Sequence, residues 1–377
     1  MIASVLYGLL TGMGPELMVH LTTGLGKIFS SLAIVVYAGA IIAEYLRRTG
    51  AIDRIVADLR KLTGKGLLVS GAAGYLISLP VMCSITAYMI LEPVVSSLGE
   101  QTAGSRRRFL FMTSSCSVIS FNLIYPSPVM VSLTGSLGVK PNDLLVVGIP
   151  LSLLLFALAY AYMHHLPLEE AKPAERPALL IGRARAWIPL LFPMGMILLG
   201  LLEDEAKFAG SPSIALLMGA LICLGLAREK IQEMIRAASR RSGVIMLDLC
   251  GAGAFGYVVA QSGLGKEIYG LGQALPILVL PFLLSAVLQL AQGSRVVTVI
   301  VAAQVLGNYP LDGLILALLI SSGAFMFSFI SDPYYWLIKE STGSTMKEMV
   351  RGYTLPLSLL GLAAFSATAA YTILATG

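Results

Sequence analysis

Apolar residues run along this chain in long blocks, and polar positions gather in short intervals between them. A helix that crosses ~30 Å of hydrocarbon needs about 20 apolar residues. Blocks of that order lie near 28–46, 109–128, 144–166, 187–202, 213–227, 243–262, 313–331 and 353–375, and each predicts a spanning helix. Residues 1–12 read as the end of a further span whose start is absent, with no charged segment or cleavage site before Gly12. Two apolar stretches differ: 66–99 divides at Leu79-Pro80, and 274–307 divides at Gln292-Gly293-Ser294. Each arm holds about 15 residues, or ~22 Å of helix, which is short for a crossing. Both stretches therefore predict re-entrant helical hairpins that enter and leave on one side. Residues 50–62 and 228–241 alternate charged and apolar positions with helical period, which predicts helices lying on the cytoplasmic surface.

Composition narrows the class. Of 377 residues, 56% are hydrophobic and 12% charged, against about 25% charged in a soluble domain. Mean hydropathy is +0.83. These values exclude a water-soluble globular enzyme and a disordered chain. The formal net charge of +5 is no sign of nucleic-acid binding, because the bases sit in the intervals between spans. Of 26 Lys and Arg, 21 fall on one side of the predicted spans; Lys27, Lys140, Lys207 and Lys266 fall on the other, and Arg295 lies inside an apolar stretch. The rich side is then cytoplasmic, as in a multi-pass protein of the cell (inner) membrane. The same parity supports the hairpins, since a single crossing at 66–99 would break it.

The two halves repeat one another. Pro150-Leu151-Ser152-Leu153-Leu154 recurs as Pro356-Leu357-Ser358-Leu359-Leu360, Ser114-Ser115 as Ser321-Ser322, and Tyr125-Pro126 aligns with Asp332-Pro333. The predicted organisation is an N-terminal repeat over 1–166, with hairpin 66–99 and a broken helix over 109–138. A linking region over 167–242 holds a cytoplasmic loop, two spans and a surface helix. A C-terminal repeat over 243–377 has hairpin 274–307 and a broken helix over 313–344. The fold class expected is an all-α polytopic membrane protein of about 10 transmembrane segments. The basic loops give its two repeats opposite sense. Inverted repeats with discontinuous segments in matching places mark a secondary transporter, whose site lies where the broken segments meet.

Arg295 is the sharpest chemical signal. A guanidinium in mid-bilayer costs about 2.5–3.5 kcal/mol on insertion scales and needs a compensating partner. It can be a fork for a substrate carboxylate, or it can be held in a structural pair with Asp332 or Asp248. Asp332 precedes Pro333, so it can carry a coupling ion at an unwound helix or simply cap the helix that follows. Gln292, Gly293 and Ser294 offer a turn with exposed amides beside Arg295. Pro126, Ser127 and Ser331 are the matching groups at the broken helices. Asn122, Ser120 and Ser328 lie close in sequence, and Asn122 is a second candidate for ion coupling. Asp248, Glu44 and Glu92 lie near inner span ends and read as interfacial acids. Cys83, Cys116, Cys223 and Cys250 fit no metal spacing and read as apolar fillers. The Gly251–Gly256 run GAGAFG lies within an apolar span and not after a strand, so it is no dinucleotide site. No metal, nucleophile or phosphate-loop motif is present, so neither an enzyme nor a cofactor is expected. The reading is a symporter for a small organic anion coupled to H⁺ or Na⁺. An ion channel and a non-transporting membrane scaffold stay open.

Gly251-Ala252-Gly253-Ala254-Phe255-Gly256 followed by Ser262-Gly263, the tip Ala291–Ser294, and the segment Ser328–Trp336 (SFISDPYYW) followed by Lys339-Glu340 resemble the gluconate permease (GntP) family, in which the last segment reads SHVNDPGFW. Gly39, Gly50 and Tyr125–Pro128 extend the resemblance into the first half. It implies proton-coupled uptake of sugar acids or related hydroxy-carboxylates, and a homodimer in the bilayer. The chain departs from that pattern in carrying Phe329, Ser331, Phe121, Ser127 and Ile85 where the family has histidines, an asparagine or an acid, and Arg295 where it has a small residue. It reads as a divergent branch.

Overall fold

A computed structural model describes residues 2–63, 65–101, 106–166, 181–263, 270 and 275–376. Among them there are helices and no strands. Five helical stretches are long and apolar enough to cross a membrane: Glu16–Thr49, Arg106–Leu137, Pro141–His165, Arg228–Gln261 and Met346–Leu374. Most of the shorter apolar helices pair up around them.

The first half begins with α1 (Ile2–Leu10), α2 (Glu16–Thr49) and α3 (Ala51–Thr63). The predicted span at 28–46 is the inner part of α2, which starts twelve residues earlier. Lys27 does not end it, because its ammonium lies 4.5 Å over the Tyr257 ring centre. Helix α3 is amphipathic as expected: Ile52, Ile55, Val56 and Leu59 are buried. A hairpin follows, α4 (Gly66–Val81) and α5 (Ser84–Gln101). Its turn is not at Leu79-Pro80. Pro80 still lies in α4, and the chain reverses at Met82, whose φ is 56° and whose N–H donates to the Leu79 carbonyl at 3.3 Å. A proline in the last helical turn forfeits one bond without unwinding the turns before it. Next come α6 (Arg106–Leu123) and α7 (Pro128–Leu137), separated by residues 124–127 with a cis Tyr125-Pro126 bond. Every residue of α6 from Phe109 to Leu123 is buried, so this helix is the centre of the first half. Helix α8 (Pro141–His165) closes it.

Of the linking region, residues 167–180 of the expected loop lie outside the described residues. The two spans are α9 (Arg183–Leu202) and α10 (Pro212–Leu226). The expected surface helix at 228–241 is not separate. After one 3₁₀ turn it runs on into the next span as a single helix, α11 (Ile231–Gln261). Ser242-Gly243 lacks the proline or capping side chain that would end a helix there.

The second half has the same order. A hairpin of α12 (Val279–Gln292) and α13 (Arg295–Val305) turns at Gly293-Ser294, where the sequence places it. The helix read as broken over 313–344 divides into α14 (Gly313–Gly323) and α15 (Pro333–Thr342); residues 324–332 between them are not helical, so the span read at 313–331 ends at Gly323. Side chains hold the non-helical backbone: the Phe327 N–H donates to Ser358 Oγ at 3.2 Å, Thr354 Oγ1 to the Ser328 carbonyl at 2.7 Å, and Trp336 Nε1 to the Ile330 carbonyl at 2.8 Å. The short α16 (Met346–Met349), a π-turn at Val350–Thr354 and α17 (Leu355–Thr376) complete the chain.

The glycine-rich run is a packing surface. A Cβ at Gly253 of α11 would collide with Ile28 Cγ1 and lie 2.7 Å from the Gly24 carbonyl of α2. A Cβ at Gly256 would meet Gln304 and the Val301 Cα on α13. Small residues at these turns let α11 approach two helices closely, as in membrane bundles generally.

Candidate functional site

Each half has a helical pair that turns and a helix that breaks, so four helices restart in mid-structure: α5 at Ser84, α7 at Pro128, α13 at Arg295 and α15 at Pro333. All four of these first residues line one cavity of about 700 Å³. The rest of its wall is drawn from both hairpin tips, from Ala3, Phe121 and Asp332, and from one face of α11. A helix start carries unpaired N–H groups and about half a positive charge. At the two broken helices side chains satisfy them: Ser127 Oγ accepts from the Met130 N–H at 3.2 Å, and Asp332 Oδ1 from the Tyr334 N–H at 2.8 Å. At the hairpin tips no side-chain oxygen does so. Helix α13 has no side-chain cap, and the Thr86 N–H near the start of α5 reaches only the Cys83 sulfur at 3.5 Å. The starts of α5 and α13 therefore bring N–H groups without a side-chain oxygen acceptor to the cavity.

Arg295 sharpens this. It is the first residue of α13, the helix end where a cation is least favoured. Local helix stability cannot explain it, and it is 5% exposed. Its Nη2 donates to Ser328 Oγ at 2.6 Å and to the Tyr353 hydroxyl at 3.0 Å, and lies 3.2 Å from Asp332 Oδ2. The Tyr353 hydroxyl donates to the same Oδ2 at 3.2 Å, so arginine, tyrosine and carboxylate form a closed triangle. A single nitrogen, Nη2, thus makes all three contacts, and Nε beside it is buried and unpaired. Asp332 is 1% exposed and uses both oxygens, one for the cap and one for the triangle. Of the two partners expected for Arg295, the structure has Asp332; Asp248 lies exposed on the cavity wall without an ion pair to it.

The tip is locked to the second break. Gly293 has φ of 69° and donates its N–H to the Gln289 carbonyl at 2.8 Å. A Cβ there would run into the Ser331 carbonyl group and come within 2.5 Å of Asp332 N. Only glycine accepts both the left-handed backbone and this approach.

Of the residues singled out in the sequence, Gln292, Gly293, Ser294, Arg295 and Asp332 line the cavity together. Pro126, Ser127, Asn122 and Ser331 do not. Ser127 spends its hydroxyl on capping α7, and the Ser331 Oγ is buried without a partner. Asn122 is fully buried and neither amide atom has a partner. Glu44 pairs with Arg47 and Arg48, and Glu92 with Arg106, as interfacial acids do. Three of the four cysteines are buried; Cys83 is half-buried at the cavity edge. Tyr353 escaped sequence reasoning. A tyrosine in an apolar span is unremarkable until its hydroxyl is seen to need a partner.

The profile described as GntP family permease matches residues 1–185 and 177–374. The chain belongs to that family. As a GntP family permease it is a multi-pass membrane transporter and not an enzyme. It is 24% identical to the low-affinity gluconate transporter of Escherichia coli K12, over 96% of this chain and 90% of that one. It is 23% identical to the D-serine transporter DsdX of the same organism, over 98% and 91%. Its fold is similar to the crystal structure of the Alcanivorax borkumensis YdaH transporter, with a TM-score of 0.67, 17% identity, and 96% and 88% of the two chains covered.

Proposed function

We propose that this permease is a symporter for a small hydroxy-carboxylate, driven by protons. The observation that carries the reading is the convergence of four helix starts on one cavity with Arg295 at its wall. An entering carboxylate supplies the oxygens that the starts of α5 and α13 lack, and its charge is opposite to that of Arg295 in the cavity wall. Gluconate and D-serine share a carboxylate with polar groups on the neighbouring carbons, which is the common chemistry of the two relatives.

The Arg295–Asp332 pair supplies the coupling. Without substrate, Asp332 neutralises Arg295. A bound carboxylate competes for the same guanidinium, and two carboxylates on one cation repel each other unless one takes up a proton. Anion and proton then favour each other's binding by the same factor, as linkage requires. The two halves, each a hairpin and a broken helix, are read as inverted repeats that expose this cavity alternately to the two faces.

The wall contributed by the first half is apolar at Met82, Ile85 and Phe121. A polyhydroxylated tail would leave hydroxyls unpaired there, at a cost of about 1–3 kcal/mol for each buried one. The preferred substrates are therefore short hydroxy acids such as glycerate or lactate, ahead of gluconate. Competition assays on purified protein in proteoliposomes test this, and gluconate binding tenfold more tightly than either would refute the size argument. Arg295→Ala is expected to lose substrate binding and to lower the melting temperature, because it leaves the Asp332 carboxylate buried without its cation. Unchanged affinity would defeat the role given to Arg295.

A further inference from the structure

The central cavity opens onto a second one. Cys83, Ile85 and Ile245 line both it and a vestibule of about 800 Å³ on the side rich in bases. The two are joined along one face of α11, where Arg236, Arg240 and Val244 line the vestibule and Asp248, Ala252 and Phe255 line the cavity. Their spacing of three and four residues makes a single stripe ~28 Å long. A third cavity, around Lys27 and Gln304, shares no lining residue with the central one. The structure is therefore open toward the basic, cytoplasmic side.

The vestibule holds four guanidiniums, Arg48, Arg236, Arg240 and Arg241, and two carboxylates, Glu44 and Glu233. Both carboxylates are already engaged: Glu44 with Arg47 and Arg48, Glu233 with Arg48. Among the described residues, Arg236 and Arg240 have no ion pair, and Arg241 reaches only the Met89 sulfur at 3.5 Å. Orienting the protein in the membrane needs only bases somewhere on this side. It does not need three uncommitted ones lining the passage to the site.

We infer that Arg236, Arg240 and Arg241 form an anion antechamber, a weak second site that concentrates organic carboxylates at the cytoplasmic mouth of the cavity. The inference rests on the reading of the central cavity as an anion site. A basic funnel with low-dielectric walls raises the local concentration of anions and their rate of arrival, and salt abolishes the effect. It would speed loading from inside, in exchange and efflux, without altering the affinity of the central site.

Cys83 lies at the junction and provides a probe that does not depend on transport. Intact protein in vesicles with the cytoplasmic face outward would be treated with two membrane-impermeant methanethiosulfonates, one bearing an ethylsulfonate and one an ethyltrimethylammonium. Cys83→Ala sets the background. In an Arg236→Gln/Arg240→Gln double variant, the ratio of anionic to cationic modification rates is expected to fall about tenfold at low salt. The fall should vanish near ~0.5 M salt, where charges beyond a few ångströms are screened. An unchanged ratio would overturn the inference. So would a fall seen only in vesicles containing anionic lipid, which would assign these arginines to headgroups. A wild-type protein that moves no organic acid would sink the proposed function, yet it would leave this ratio as it is, so the two failures are distinct.

Discussion

Two charged side chains meet at the candidate site, and both are legible in the sequence because a charge inside an apolar run is costly and needs a reason. What the sequence does not contain is their geometry. Asp332 is at once the cap of α15 and the partner of Arg295, the two structural roles open to these residues from the sequence. Tyr353, which joins the two, gives no signal of its own because tyrosine is common in membrane helices. Ser127 and Pro126, chosen by symmetry with Ser331 and Asp332, fall away from the cavity since the first break is capped and packed. Gly293 gives the residue-scale prediction. Gly293→Ala must bear a left-handed alanine, at about 1–2 kcal/mol, and push Ser331 off the tip. Substrate affinity should drop at least about tenfold in an equilibrium binding assay. An unaffected variant would show that the tip and the break are not locked together.

At the scale of elements, the second hairpin turn is legible and the first is not, since Pro80 stays in α4 and the chain reverses at Met82. Gly293-Ser294 marks the second hairpin because glycine ends helices. Pro333 marks the end of the second break, but 324–332 is as apolar as a helix and carries no earlier proline, so where the unwinding begins shows only in the side chains of α17 and the π-turn that hold it. Helix α11 runs through an expected boundary for the opposite reason, the lack of any stop. The α2–α11 crossing is testable. Gly253→Val should cost about 1–3 kcal/mol by overpacking, read as a lower melting temperature in detergent. Gly26→Ala, where a Cβ meets nothing within 4 Å, should cost nothing. Equal effects would contradict the crossing. The docking of α3 on α9 should depend on pH. Burial alone would raise the Asp58 carboxyl, but hydrogen bonds from Trp187 at 3.1 Å and Arg183 at 3.0 Å, with the charges of Arg183 and Arg54, hold it below its usual value. A depressed carboxyl stabilises the folded state above its unfolded pKa of about 4 and loses that contribution as pH falls through the lower, folded value. The melting difference between wild type and Asp58→Asn should therefore be full at pH 6 and shrink below about pH 4. A difference that does not vary with pH would rule out the charge as its cause.

At the scale of the molecule, the two halves contribute unequally to a shared cavity. Both supply a tip and a break, but the charge, the tyrosine triangle and the locked glycine all come from the second half. The first half supplies an apolar wall. This asymmetry fits a site in which one end grips a carboxylate and the other excludes a long polar tail. The repeat is legible in the sequence as an ordered series of short matches, whereas the division of labour between its halves is not. The proposed coupling acts at this scale too: a proton taken up at Asp332 would be released on the opposite face together with the anion.

The most direct test of that claim is transport by Asp332→Asn in proteoliposomes with an imposed proton gradient. Asparagine keeps the cap of α15 and removes the carboxylate that competes for Arg295. The variant should still exchange labelled hydroxy acid for unlabelled acid across the membrane. Its affinity should be independent of pH, and it should no longer accumulate substrate against a gradient. Accumulation driven by protons in the variant, with the pH dependence of the wild type, would contradict the proposed coupling.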